Sequence, residues 1–106
     1  MPKYLLKVNY TLDGVRGVLS KGGSARKAAA SAVSESVGGS LESMYFAFGS
    51  TDVFAIADLP DNTAAAALAL TVSGSGGAKV TTTVLLTPEE IDAATKSSVS
   101  YTAPGQ

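Results

Sequence analysis

The chain contains neither cysteine nor histidine. The absence of cysteine excludes disulfide bonds, thiolate nucleophiles and cysteine-ligated zinc or iron–sulfur clusters. The absence of histidine removes the commonest metal ligand and the commonest general base. No group of Asp and Glu residues has the spacing of a calcium-binding loop. The sequence therefore predicts no metal site and implies no cofactor.

Charge is also scarce, since only 16% of the 106 residues are charged and the formal net charge is −1. Such a balance favours neither nucleic acid nor an anionic membrane as a partner. Lys7 and Asn9 interrupt the first apolar run too early for a secretory signal peptide. No stretch approaches the roughly 18 apolar residues of a membrane span. We therefore expect a soluble, cytoplasmic protein.

Hydrophobic periodicity divides the chain into regular elements. Alternation predicts four strands, over residues 3–10, 40–48, 52–59 and 78–86. Helical spacing predicts a short, weak helix over 12–20, a long helix capped by Ser24, a second long helix capped by Asp61, and a short terminal helix that begins with the capping box TPEE at 87–90.

This order, β-α-β-β-α-β with a terminal helix, favours an α+β, ferredoxin-like domain over residues 1–96. Its four strands would form one antiparallel sheet, and right-handed crossovers would place both long helices on the same face. Residues 97–106 are expected to form an extended tail, with Val99 and Tyr101 as its anchors.

Both faces of the hairpin at 45–62, YFAFGSTDVFAIADLPDN, are apolar. Two helices can cover only one face of the sheet, so the other face needs a second sheet. The sequence therefore predicts a homodimer packed sheet to sheet, as in dimeric α/β barrels. The alternative is a monomer that leaves the patch exposed. The expected interface residues are Met44, Phe46, Phe48, Phe54 and Ile56.

Around FGSTDVFAIADLPDN, and over nearly the whole length, the chain resembles the GYD-domain family of small bacterial and archaeal proteins. Gly49 and Asp52 fit the family's Gly and Asp at the hairpin, whereas Thr51 stands at the tyrosine position. The resemblance implies a ferredoxin-like chain in a dimeric α/β-barrel arrangement. It implies no established substrate, cofactor or catalytic residue. Turn chemistry is a sufficient reason for both residues: a glycine for positive φ, and an Asp bonded to local backbone.

One segment of the chain is a candidate anion site. In KGGSARK, at 21–27, the two glycines would allow a ligand close to the helix start, and basic side chains would flank it. The candidate residues are Lys21, Gly22, Gly23, Ser24 and Arg26. The alternative is a glycine break with solvated basic residues. The overlapping stretch 17–24 is not a phosphate loop, because Gly23 occupies the lysine position.

Tyr4, Tyr10 and Tyr45 are either core residues or lining of a pocket between sheet and helices. The leading functional hypothesis is a small homo-oligomeric α/β-barrel protein that binds a small molecule or a partner. One rival is a cofactor-independent enzyme of the dimeric α/β-barrel type, such as an oxygenase or isomerase, although the lack of histidine argues against acid–base work. Another is a regulatory oligomer of ferredoxin-like subunits.

Overall fold

The computed structural model describes all 106 residues. Its elements, in chain order, are β1 (Lys3–Tyr10), α1 (Leu12–Lys21), α2 (Gly23–Ser36), β2 (Ser40–Phe46), β3 (Val53–Asp58), α3 (Asn62–Gly74), β4 (Ala78–Leu85) and α4 (Pro88–Thr95). The fold is thus α+β, with one four-stranded sheet and four helices. None of these helices has the length and apolar character that crossing a bilayer requires.

All strand pairs in the sheet are antiparallel, and the spatial order is β2-β3-β1-β4. The two central strands are therefore β1 and β3. Leu5 of β1 pairs with Ile56 on one side and with Thr83 on the other. The helices α2 and α3 connect strands that are not adjacent, as the predicted element order requires.

The core lies on one face of the sheet, where the helices cover it. Its buried apolar residues are Tyr4, Leu6, Val53, Ala55, Ala57, Leu59, Ala65 and Leu68. Alternate residues of β1 and β3 supply the sheet side, and α3 supplies the last two. The Tyr4 hydroxyl donates a hydrogen bond of 2.6 Å to Asn62 Oδ1, so this buried phenol is satisfied.

Side chains cap three of the helices. Asp61 accepts a hydrogen bond from the Ala64 amide, as predicted, and Thr87 and Glu90 form the predicted capping box. Thr11 caps α1 by accepting from the Gly14 amide.

The predicted cap at Ser24 is wrong, because α2 begins one residue earlier, at Gly23. Gly22 adopts a φ of 84° and both ends α1 and caps α2, so the chain turns directly from one helix into the next. Ser24 consequently lies inside the helix.

The predicted faces of β2 are also wrong, because the strand contains a β-bulge. Leu41 pairs with Ala57 and Ser43 with Ile56, so the extra residue is Glu42. A one-residue insertion exchanges the two faces of a strand from that point on. After the bulge, Met44 and Phe46 therefore lie on the helix-covered face, opposite to the face that carries Phe54 and Ile56.

The hairpin loop is longer than the sequence predicts, since β2 ends at Phe46 and β3 begins at Val53. Phe48 consequently lies outside the strand and is fully exposed. The five residues predicted as one interface thus fall on two faces and a loop. Only Phe54 and Ile56 remain together on the uncovered face, where Tyr45 pairs with Phe54.

The C-terminal segment projects from the domain. No residue of α4 is buried. Val99 and Tyr101 are 79% and 75% exposed, so the prediction that they anchor the tail is wrong. The projection explains a radius of gyration of 16.9 Å, against about 13 Å for a compact domain of this length.

Candidate ligand-binding site

An apolar cavity of about 300 Å³ lies between α2, α3 and the sheet, and we call it the inner chamber. It exists because α2 packs over the edge strand β2 while α3 packs over the opposite edge strand β4. Above the central strands, the space between the two helices is only partly filled. Small side chains of α2, Ala29 and Ala30, leave this space unfilled.

The wall of the inner chamber is almost entirely hydrocarbon, since 14 of its 17 lining residues are hydrophobic. The floor consists of Leu6 and Val8 from β1 with Val53 and Ala55 from β3. Apolar walls with few polar groups are typical of small-molecule sites, whose volumes run from roughly 300 to 1,000 Å³.

A second, more polar cavity of about 510 Å³ adjoins the first, and we call it the outer chamber. α1 forms one side of it through Asp13, Gly14, Gly17 and Lys21. The residues that line both chambers are Tyr10, Arg26, Ala29, Val72, Ser75 and Ala78. Because they are shared, the two chambers are adjacent, and the apolar one lies directly beside the more polar one.

Arg26 is the charged group at the boundary between the chambers. Its Nε atom is buried and has no hydrogen-bond partner. Both ion pairs of the chain are made by Lys3, so neither Arg26 nor Lys21 is paired with a carboxylate. An unsatisfied buried donor costs roughly 1–3 kcal/mol. The boundary therefore holds a guanidinium whose Nε–H group receives no acceptor from the chain.

The structure brings together two of the five residues of the predicted anion site. Lys21 and Arg26 line the outer chamber, whereas the other three candidates, Gly22, Gly23 and Ser24, do not. A Cβ at Gly23 would lie 3.2 Å from the Phe46 ring, so this glycine packs against the sheet instead of facing a ligand. The sequence did not predict the apolar wall of the inner chamber. Its glycine-rich segment indicated a site at the start of α2 instead.

Of the three candidate tyrosines, only Tyr10 borders the chambers. Its ring stacks on Phe46 with the ring centroids 6.5 Å apart. Tyr4 is buried in the core, and Tyr45 is 73% exposed on the uncovered sheet face.

Asp52 holds the end of β1 that carries Tyr10. The Tyr10 amide donates to Asp52 Oδ2 at 2.8 Å, and the Asp52 amide donates to the Val8 carbonyl at 3.0 Å. The sequence reasoning expected a bond to local backbone, but the partner is 42 residues away. Gly49 does not have positive φ, so the expected reason for a glycine there is wrong.

Lys3 is the centre of a charge cluster on the uncovered face. Its ammonium donates hydrogen bonds to the carboxylates of Glu42 and Asp58. These bonds raise the pKa of Lys3 above its ordinary value of 10.5. No group of three or more Asp and Glu residues is arranged to hold a metal ion.

The family comparison agrees with the resemblance seen in the sequence. The model of the GYD domain matches residues 4–95, a range that includes both chambers, the hairpin and the whole of α4. No curated protein and no solved structure matches the chain. Since the match spans most of its 106 residues, the chain belongs to the GYD-domain family.

Proposed function

We propose that this protein binds a small, largely apolar molecule in the inner chamber, and that it does so as a homodimer of ferredoxin-like subunits. The observation that carries the proposal is the chamber itself, about 300 Å³ with a hydrocarbon wall and a more polar cavity beside it. Its size corresponds to the lower end of small-molecule sites, which favours a ligand of modest size.

Binding of a neutral apolar probe tests the inner chamber independently of the charged residues in the outer chamber. We expect 1-octanol to bind to the wild type and to raise its melting temperature. Ala30→Phe places a ring inside the chamber and should abolish this binding. The matched control is Ala28→Phe, which makes the same change on an exposed position of the same helix and should leave binding intact. Absence of octanol binding to the wild type, or equal loss in both variants, would contradict the proposal.

The ferredoxin-like assignment is supported by the strand order β2-β3-β1-β4 with two helical crossovers on one face. The homodimer is supported by the uncovered face. There Phe54 is 39% exposed and Tyr45 is 73% exposed, and they pair with each other across the strands. Ile56 and Leu5 form the next cross-strand pair on this face.

The area of this face is compatible with an interface. Four strands about 4.8 Å apart, with about 3.3 Å per residue, give a projected face of about 450 Å² per subunit. Two such faces bury about 900 Å² when they are treated as flat, and the uneven surface of the side chains adds to this area. A specific interface buries about 1,000 Å². Sheet-to-sheet packing can therefore supply most of the contact area.

Light scattering at micromolar concentration tests the dimer. We expect twice the chain mass of 10.6 kDa for the wild type. Phe54→Asp introduces a charge in the uncovered face and should yield a folded monomer. Phe48→Asp is the matched control, because this ring lies in the exposed hairpin loop, and the variant should remain a dimer. A monomeric wild type, or a dimeric Phe54→Asp variant, would refute the arrangement.

A further inference from the structure

We propose that the ligand is an amphipathic monocarboxylate. Its apolar body fills the inner chamber and its carboxylate is bound by Arg26, while Lys21 adds positive charge from the outer chamber. This inference rests on the proposed function and names the chemical class of its ligand. It is carried by the position of one guanidinium at the boundary between an apolar and a polar cavity.

The Arg26 guanidinium is left without an acceptor by the chain. Its Nε is buried and unpartnered, and it makes no ion pair, because Lys3 makes both of those present. A buried N–H of a charged group is costly when unpaired and strong when bonded to an anion. The chain gives this guanidinium no acceptor, so a carboxylate that reaches its N–H groups from the chambers forms bonds that the unliganded protein lacks.

The charges around the outer chamber favour an anion over a cation. Lys21 and Arg26 are its two basic residues, and Asp13 is its one acidic residue. Asp13 forms no ion pair with either of them. The net charge of the outer chamber's lining is therefore positive, and of its two basic residues Arg26 also lines the apolar chamber.

A planar carboxylate fits this position better than a neutral polar group. The guanidinium fork matches the two oxygens of a carboxylate, and bonds in which both partners are charged are about twice as strong as neutral ones. The hydrocarbon wall takes up the remainder of the molecule. A medium-chain fatty acid and an aromatic monocarboxylate share this chemistry, so both are included in the test.

Calorimetric titration at fixed ionic strength tests the head group with a matched series: octanoate, 1-octanol and octylammonium, which share one apolar chain. We expect the wild type to bind octanoate about 10- to 100-fold more tightly than 1-octanol, the range of a charged hydrogen bond. Octylammonium should bind more weakly than the alcohol. Phenylacetate and phenylethanol repeat the comparison for an aromatic body. The pair with the larger preference for the carboxylate shows whether the ligand is a fatty acid or an aromatic monocarboxylate.

Arg26→Met keeps an apolar stem and removes the guanidinium, so it should abolish the preference for octanoate over 1-octanol. Lys27→Met is the matched control, because this exposed neighbour on the same helix lines neither chamber, and it should keep the full preference. If Arg26→Met does not fold, the order of the wild-type affinities for octanoate, 1-octanol and octylammonium still tests the carboxylate assignment.

The outcomes separate the inference from the proposed function. Equal affinities for octanoate and 1-octanol in the wild type would overturn the carboxylate assignment while the chamber remains a binding site. A preference that survives Arg26→Met would overturn the role of Arg26. Failure of every probe to bind would overturn the proposed function, and this inference with it.

Discussion

Two glycines of α1, Gly14 and Gly17, provide a direct test of how this helix packs. Both lie inside the helix, where replacement of Gly by Ala is favourable by about 0.5–1 kcal/mol. Their surroundings differ. A Cβ at Gly14 would lie 1.9 Å from the Gly77 carbonyl oxygen, whereas a Cβ at Gly17 would meet nothing within 4 Å. The two substitutions should therefore change stability in opposite directions.

The magnitude for Gly14→Ala follows from this overlap. Relief requires a shift of more than about 1 Å between α1 and the loop before β4, and overpacking of this kind costs roughly 1–3 kcal/mol. The shift also weakens two hydrogen bonds from Thr11, its amide to Gly77 at 3.1 Å and its hydroxyl to Gly76 at 2.7 Å. After allowance for helix propensity, we expect a net loss of about 1–3 kcal/mol.

Urea unfolding followed by circular dichroism, at one protein concentration and without ligand, measures both variants. Gly17→Ala should raise the free energy of unfolding by about 0.5–1 kcal/mol, so the two variants should differ by roughly 2–4 kcal/mol. Equal stabilisation by both would refute the close approach of α1 to the loop. A loss in Gly17→Ala would refute the open space beside that glycine.

Three further predictions concern side chains with defined partners. Asp52→Ala removes the acceptor of the Tyr10 amide and should cost about 1.5–3 kcal/mol in urea unfolding, as for hydrogen bonds to charged groups; an unchanged midpoint would contradict this role. The stability difference between wild type and Lys3→Met should be constant up to pH 10.5 and vanish as the pH rises through the higher folded-state pKa; a difference that persists at higher pH would contradict the raised pKa. Thr87→Ala should speed hydrogen exchange in α4 without moving the global melting temperature, since no residue of this helix is buried; a global shift would show that α4 is packed.

Local chemistry explains why the elements and most of their ends could be predicted. The caps at Asp61 and Thr87 depend on residues three positions apart, so the sequence contains the whole interaction. Ser24 shows the limit of the same rule. It has the right residue type for a cap, but Gly22 already turns the chain at φ 84° and begins the helix earlier.

The faces of β2 could not be predicted because strand alternation has no marker for an inserted residue. Leu41 and Met44 are three positions apart, yet both pack against the core, and only the bulge at Glu42 makes this possible. Glu42 bonds to Lys3 of β1, two strands away. The information that specifies the bulge is thus tertiary.

The sequence offered a pocket between sheet and helices only as an alternative for the tyrosines, because such a cavity depends on the distance between helices and not on a pattern in either of them. The alanines of α2 indicate close packing when read alone, and the structure shows that they border a space. Lys21 and Arg26 were found for a different reason, their place beside two glycines. In the structure these two side chains line the outer chamber, so the proposed ligand lies in the chambers and not at the start of α2.

The role of Asp52 follows from how the central strands end. Pairing of β1 with β3 stops at Val8 and Val53, but pairing with β4 continues to Tyr10. The Tyr10 amide would therefore have no partner on the β3 side, and the Asp52 carboxylate takes the place of the missing strand. Since Tyr10 lines both chambers, one carboxylate in the hairpin holds the backbone of a residue in their wall. Asp52 is thus connected to the wall of both chambers by a hydrogen bond to the Tyr10 amide, without lining either chamber itself.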